Sequence, residues 1–272
     1  MLLDILVIAS PCLLVAFGAI VSEYAGVMTI FLEGCINMGA FFCFAFSAMT
    51  GSVVAGIIGS CVVCMLYVLG AWLFVQKAKA DIYLVGAGLN ILAAGIIPLF
   101  SKLWFGTSGV VAANIIVPSA FFVRGGSTLM CLAAALCFIF FLLKTPWGLA
   151  MRICGTQREV VKAGGIKPEL LQCESWLIAA AFAALAGGVL SIRLQSFVPN
   201  ISSGKGWIAL AVVFLGRKNI FSVVLATLLF AAAEYASNRL QGLSIIKPAV
   251  LLAMPYIVAL LLFAVIPSKK RR

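Results

Sequence analysis

The sequence has no histidine, only 8 acidic side chains, and a charged fraction of 10% over 272 residues. Without histidine it lacks the usual proton shuttle near neutral pH and the commonest metal ligand. With acids this sparse, neither a nucleophile–base–acid triad nor a pair of catalytic carboxylates can be assembled, which argues against an enzyme. A Gly-x4-Gly-Lys-Ser/Thr phosphate loop is also missing, because Gly204-Lys205-Gly206 has neither the spacing nor the hydroxyl. The chain is therefore expected to bind no cofactor of its own. Its start, Met1-Leu2-Leu3-Asp4, has no basic segment, and no Ala-x-Ala site follows the first apolar stretch, so that stretch reads as a retained span.

Apolar residues dominate, at 64% of the sequence with a mean hydropathy of +1.21. A soluble domain carries roughly 45–50% apolar and about 25% charged residues, so a soluble enzyme, a secreted disulfide scaffold and a disordered tail are all excluded. At about 20 residues per crossing, nine spans are expected: 3–21, 28–48, 53–75, 82–101, 127–144, 173–192, 205–216, 220–238 and 248–266. The seventh is too short to cross alone; it either borrows from 198–204 or forms a partial helix. The expectation is an all-α integral membrane protein of about nine transmembrane helices, one domain over 1–272. Nine cysteines are scattered through it, and the Cys61-x-x-Cys64 pair sits inside a span with no second pair. That reads as small hydrophobes packed between helices, with no metal site.

The 19 basic residues give a net charge of +11, and they sit between the apolar runs, where cations hold loops inside the cell. With Lys269-Lys270-Arg271-Arg272 cytoplasmic, nine spans put 13 basic residues inside and six outside, the six being Lys102, Arg124, Arg193, Lys205, Arg239 and Lys247. An external N-terminus and a cytoplasmic C-terminus follow. No basic stripe with interleaved aromatics occurs, so no nucleic-acid partner is expected. The external connection 102–126, with Trp104, Gly106, Gly109, Pro118 and Gly125-Gly126, reads as a structured cap at the interface. The cytoplasmic connection 145–172 is the most polar stretch. Between Gln157 and Ala163 it has enough for a short amphipathic helix closed by Gly164-Gly165, with Arg158 and Lys162 one turn apart. So small a helix is either a surface that another protein grips or an ordinary positive loop.

Here the chain resembles a known family. Glu159-Val160-Val161 with Gly165 six positions after the glutamate is similar to the EAA-x3-G loop of bacterial ABC importer permeases. The run from Arg152 through Gly155, Arg158 and Glu159 to Ile166 resembles the cytoplasmic loop of the branched-chain amino acid, simple-sugar and nucleoside permeases. Glu23 through Gly26 to Leu32-Glu33-Gly34 is similar to that family's first conserved turn. Gly86 to Gly95, with Asn90, resembles its asparagine-bearing fourth span, and Gly204 to Arg217, with Leu240-Gln241, its C-terminal region. The chain departs from the family in having Thr29-Ile30-Phe31 where Asn-Ile-Gly is usual, Val160-Val161 for two alanines, and Thr156-Gln157 where Glu-Asn is common.

The resemblance implies two permease subunits, a separate cytoplasmic ATPase that uses ATP-Mg, and an external substrate-binding lipoprotein, all in the bacterial inner membrane. It places ATPase coupling on Arg152, Gly155, Arg158, Glu159 and Gly165, and a structural turn on Gly26, Glu33 and Gly34. The cargo it implies is a nucleoside or a riboflavin-like solute, with a simple sugar and then a branched-chain amino acid as alternatives.

Polar residues inside spans are costly and mark candidate sites. Glu33, Asn37, Asn90, Glu234 and Asn238 lie in or near spans, and Glu234 and Asn238 share a helical face. Asn90, Glu234 and Asn238 are the candidates for the solute path; helix–helix glue is the other reading for the two asparagines. Glu33 is expected to be tied to backbone amides or a basic residue near the cytoplasmic turn. The small residues Ala179, Ala183, Gly187 and Ala180, Ala184, Gly188 allow close helix contact, with a seam between two permeases as one place for it. An ion-coupled secondary transporter would need a carboxylate-rich site beside broken helices, for which only Glu33 and Glu234 are available. A passive channel would not depend on the 145–172 loop.

Overall fold

Apolar runs become helices here wherever their ends find caps. The computed structural model describes residues 1–112, 122–241 and Ile257. The expected span at 248–266, the cationic C-terminus and the middle of the 102–126 connection lie outside the described residues. The helices are α1 (Leu2–Ala25), α2 (Leu32–Thr50), α3 (Val53–Ala78), α4 (Ile82–Phe105), α5 (Ser127–Lys144), α6 (Pro146–Cys154), α7 (Arg158–Ala163), α8 (Pro168–Leu194), α9 (Lys205–Leu215) and α10 (Ile220–Gln241). Seven of the described helices, α1 to α5, α8 and α10, are long and apolar enough to cross a membrane. Ser52 accepts from Ala55 N to start α3, Asp81 from Tyr83 N and Leu84 N to start α4, and Thr145 from Gly148 N to start α6. Each satisfies an amide that has no partner inside the helix.

The short seventh segment is the partial helix α9, only 11 residues long, and 198–204 does not extend it. The polar connection holds two helices where one was expected: α6 precedes α7, and α8 begins at Pro168, earlier than the apolar run alone indicates. The external connection contributes β1 (Val111–Ala112), which pairs antiparallel with β2 (Ser196–Phe197) just after α8.

The centre of the molecule is α8, packed against α1, α2 and α3. Its small residues make this fit. A Cβ on Gly18 of α1 would lie 2.9 Å from the Ala179 backbone, one on Gly39 of α2 would strike Ala184, and one on Gly187 would strike Ile36. The stripe of small residues is thus used inside the subunit, against α1 and α2. This corrects the expectation that it could form a seam between two permeases. Trp176 of α8 is fully buried, its ring 4.9 Å from Phe31 and 5.2 Å from Trp72.

Side-chain contacts sort the helix ends into two groups. At one end Arg193 donates to Val7 O, Ser10 Oγ, Ser127 Oγ and Thr128 Oγ1, joining the start of α1, the start of α5 and the end of α8. At the other, the end of α1 meets the α6–α7 turn, the start of α8 and the α9–α10 turn. The alternation matches the order expected for those spans.

Candidate functional site

Two assemblies of polar groups emerge from this frame. The first surrounds the last turn of α1, whose carbonyls have no partner inside the helix. Gly155 N donates to Tyr24 O at 2.8 Å, Gln172 Nε2 to Ala25 O at 3.2 Å, and Lys218 Nζ to Glu23 O at 3.0 Å. Lys218 Nζ also lies 2.8 Å from Glu23 Oε2, a cation placed where the helix dipole favours one. Tyr24 Oη donates to Lys218 O. Gly26 takes φ +81°, and a Cβ there would lie 2.9 Å from the Gly155 backbone, so both positions require glycine. Gly26 therefore belongs structurally with the coupling candidates and is separate from Glu33 and Gly34.

From this clamp α7 projects outward. Between Gly155 and Lys167 only Val161 is buried; Arg158, Glu159, Val160 and Lys162 are exposed. Arg158 pairs with Glu169 and Lys162 with Glu159, which holds the charged face in one arrangement without hiding it. Gly165 ends the helix at φ +79° with open space where a Cβ would go. Arg152 lies beneath, its Nε buried with no hydrogen-bond partner among the described residues. Burial pushes the nearby Cys154 thiol up from its ordinary pKa against the opposing effect of Arg158, so it stays protonated.

The second assembly is where α2 and α9 begin. Phe31, which precedes α2, packs on Trp176, eight residues into α8, so α2 starts about 12 Å along its neighbour at 1.5 Å per residue. Residues 27–31 carry the chain up from Gly26 without helix. No side chain of its own caps α2. Instead Asn90 Oδ1 accepts from Gly34 N and Asn90 Nδ2 donates to Ile30 O, both at 2.8 Å. α9 also starts inside the protein, and its cap is Glu33, which accepts from Gly204 N and Gly206 N at 2.8 Å and from Ser202 Oγ. Asn37 closes the ring, donating to Ser202 Oγ at 2.8 Å and accepting from Ser202 N. The carboxylate of Glu33 thus lies between the positive ends of two helices. Glu33 is held by backbone amides beside the turn that follows α1: the chain meets α8 at Gln172 through Ala25 and at Trp176 through Phe31, four residues or about 6 Å further along that helix.

Glu234 does not stand alone. Its Oε1 lies 2.7 Å from Nζ of Lys205, the first residue of α9, with the two side chains 28% and 12% exposed. Lys205, counted from sequence as an outer-loop cation, is an interior partner. Asn238 faces a separate cavity with Asp4, Val7, Ile8, Tyr235 and Arg239, so the three path candidates are not brought together. Sequence reasoning missed Ser202, Lys205, Tyr24 and Lys218; a lone cation beside a lone acid in adjacent apolar segments was the available signal for Lys205.

The model of the branched-chain amino acid transport system permease component family matches residues 1–266. The chain belongs to that family. Among its relatives, the guanosine ABC transporter permease protein NupQ of Bacillus subtilis is 30% identical, covering 94% of this permease and 88% of NupQ. The nucleoside ABC transporter permease protein NupC of Lactococcus lactis subsp. cremoris is 21% identical over 98% of the permease and 92% of NupC. Among solved structures, an inward-facing transporter described as of the metal-chelate ABC type superposes with a TM-score of 0.60 at 14% identity, over 97% of the permease and 85% of that chain, a likeness of fold. The permease is a multi-pass membrane protein and a transport subunit of the ABC class.

Proposed function

We propose that the permease forms the transmembrane path of an ATP-driven importer in the bacterial inner membrane, and that α7 is where the motor grips it. The observation that carries this reading is the exposed face of α7, Arg158, Glu159, Val160 and Lys162, mounted on the clamped end of α1. A chain without a phosphate loop must draw on ATP through another subunit. Closure of that ATPase pushes on α7, and Gly155 passes the displacement to α1 through its contacts with Tyr24 and Gly26. Nucleotide binding then shifts the population between outward- and inward-open states. The α7 end is cytoplasmic, the Arg193 end external, and the assembly includes a second permease and an external binding lipoprotein.

The cargo is a nucleoside or a related ring-and-polyol solute such as riboflavin. The relatives named for guanosine and nucleosides support this branch. A simple sugar is the alternative. Replacing Glu159 with Trp and Gly165 with Leu tests the coupling role, since both positions are exposed and away from the core; at its φ of +79° the leucine also strains the end of α7. The expected result is loss of ATP-dependent tritiated guanosine uptake with a normal amount of protein in the membrane. Unchanged uptake would remove the assignment.

A further inference from the structure

Only residues 79–81 join α3 to α4, yet the two helices hardly touch: α3 packs on α2 and α8, and α4 mainly on α2. Between them runs an open slot of about 400 Å³, walled by Tyr67, Gly70 and Phe74 of α3 and by Gly88, Leu89 and Leu92 of α4. The Tyr67 hydroxyl donates to Leu89 O at 2.6 Å and ties the helices together at the deep end; the other walls are apolar. A Cβ on Gly70 or Gly88 would meet open space, whereas one on Gly39 or Gly187 would strike a neighbouring helix. Glycine weakens a helix relative to alanine, and no contact among the described residues requires it at 70 or 88. Phe74 and Tyr67 are four and eleven residues from the end of α3 at Ala78, or about 6 and 16 Å. Half of a hydrocarbon core of about 30 Å is about 15 Å, so the slot is one leaflet deep.

Cations stand at its mouth. Lys77 continues the face of Gly70 and Phe74, and Lys79 closes the helix. Both are exposed, and neither has an ion pair or hydrogen bond among the described residues. Asp81, the one acid in that turn, is engaged in capping α4 through Tyr83 N and Leu84 N, where the positive end of the helix balances its charge.

We propose that the slot binds one phospholipid with an anionic headgroup, an acyl chain lying along Gly70 and Gly88 and the phosphate at Lys77 and Lys79. The dimensions favour a chain over a helix. From Tyr67 to Phe74 the slot runs about 10 Å, so its volume gives a section of about 40 Å², half that of a helix about 10 Å across. The charges favour a lipid over a second copy. A copy related by a twofold axis along the membrane normal brings its own Lys77 and Lys79 to the same level, like charge against like. An anionic headgroup supplies the opposite charge, and each lysine near it adds attraction. The α3 end lies on the same side as the α1 end, so with α7 cytoplasmic the lipid belongs to the cytoplasmic leaflet; the binding itself does not depend on that side. A bound chain completes the packing of α4, the helix that carries the Asn90 cap of α2.

Native mass spectrometry of the purified permease in detergent tests this, with phosphatidylglycerol and phosphatidylethanolamine of identical acyl chains as the probes. The parent should hold one phosphatidylglycerol about tenfold or more tighter than phosphatidylethanolamine, since each lysine beside an anionic headgroup is worth a factor of about five. Lys77→Gln with Lys79→Gln should erase most of that preference and leave phosphatidylethanolamine binding as it was. Gly70→Leu with Gly88→Leu fills the slot where nothing stands in the way and puts better helix formers in both positions, so the fold is spared. That variant should lose the first bound lipid of either headgroup. Equal binding of the two headgroups by the parent, or undiminished binding by the leucine variant, would overturn the proposal. A leucine variant that keeps its lipid but no longer purifies as a pair of permeases would also overturn it, and would assign the slot to a second copy.

Discussion

The two polar assemblies solve the same problem in different ways. Where α1 ends, its free carbonyls are met by three separate segments, through Gly155 N, Gln172 Nε2 and Lys218 Nζ, next to an exposed charged helix. Where α2 and α9 begin, packed among the helices, the free amides depend on two side chains, Asn90 and Glu33. A helix end near water can lose one cap and find another. One packed among other helices has fewer substitutes, since an amide left without its acceptor there gains water only where the packing opens. The first region is therefore free to serve as a moving contact, whereas the second is fixed by its hydrogen bonds.

Substitutions should split along that line. The largest loss of stability is expected from Glu33→Ala, which leaves two interior amides of α9 unsatisfied at about 1–3 kcal/mol each, read as a lower unfolding temperature in detergent. If Glu33→Ala unfolds like the parent, the amides have another acceptor and the contrast fails. Next comes Lys205→Met, which strands Glu234; a half-buried pair broken on one side should cost about 1–3 kcal/mol. The double variant Lys205→Met with Glu234→Leu should recover most of it, and no recovery would show that Lys205 acts on something besides Glu234. Asn90→Asp keeps an acceptor for Gly34 N but sets a carboxylate oxygen against Ile30 O, at a cost of about 1–3 kcal/mol. Smallest of all is Val160→Asp on α7, within about 0.5 kcal/mol. Yet that variant alone should abolish ATP-driven uptake and weaken co-purification of the ATPase. Should Val160→Asp transport normally, the contact lies elsewhere.

The same division explains what the sequence could reveal. Apolar runs announced seven of the described spans, because burial in lipid leaves a continuous signal of about 20 residues. The α7 helix was legible between Gln157 and Gly164-Gly165, since a polar amphipathic turn with a glycine stop depends only on its own residues. The α2–α9 junction was not. It joins Glu33, Asn90 and Ser202, which are 57 and 112 positions apart along the chain (90 − 33 and 202 − 90), and no local pattern records that they meet. Lys205 was placed with the outer cations because a count of charges between spans assumes that each charge lies in a loop. A partial helix breaks that assumption: α9 starts inside, so its first residue is an interior one. The role of Ala179, Ala184 and Gly187 was clear as close packing, but whether the partner was α1, α2 or another subunit depends on tertiary placement.

The claim on which the rest depends is that this chain contains the path and no motor. Proteoliposomes of the purified permease, with and without its ATPase and binding protein, test it most directly. Tritiated guanosine should accumulate above its external concentration only when both partners and ATP are present, and an imposed proton or sodium gradient should make no difference. Accumulation by the permease alone, driven by either gradient, would contradict the account.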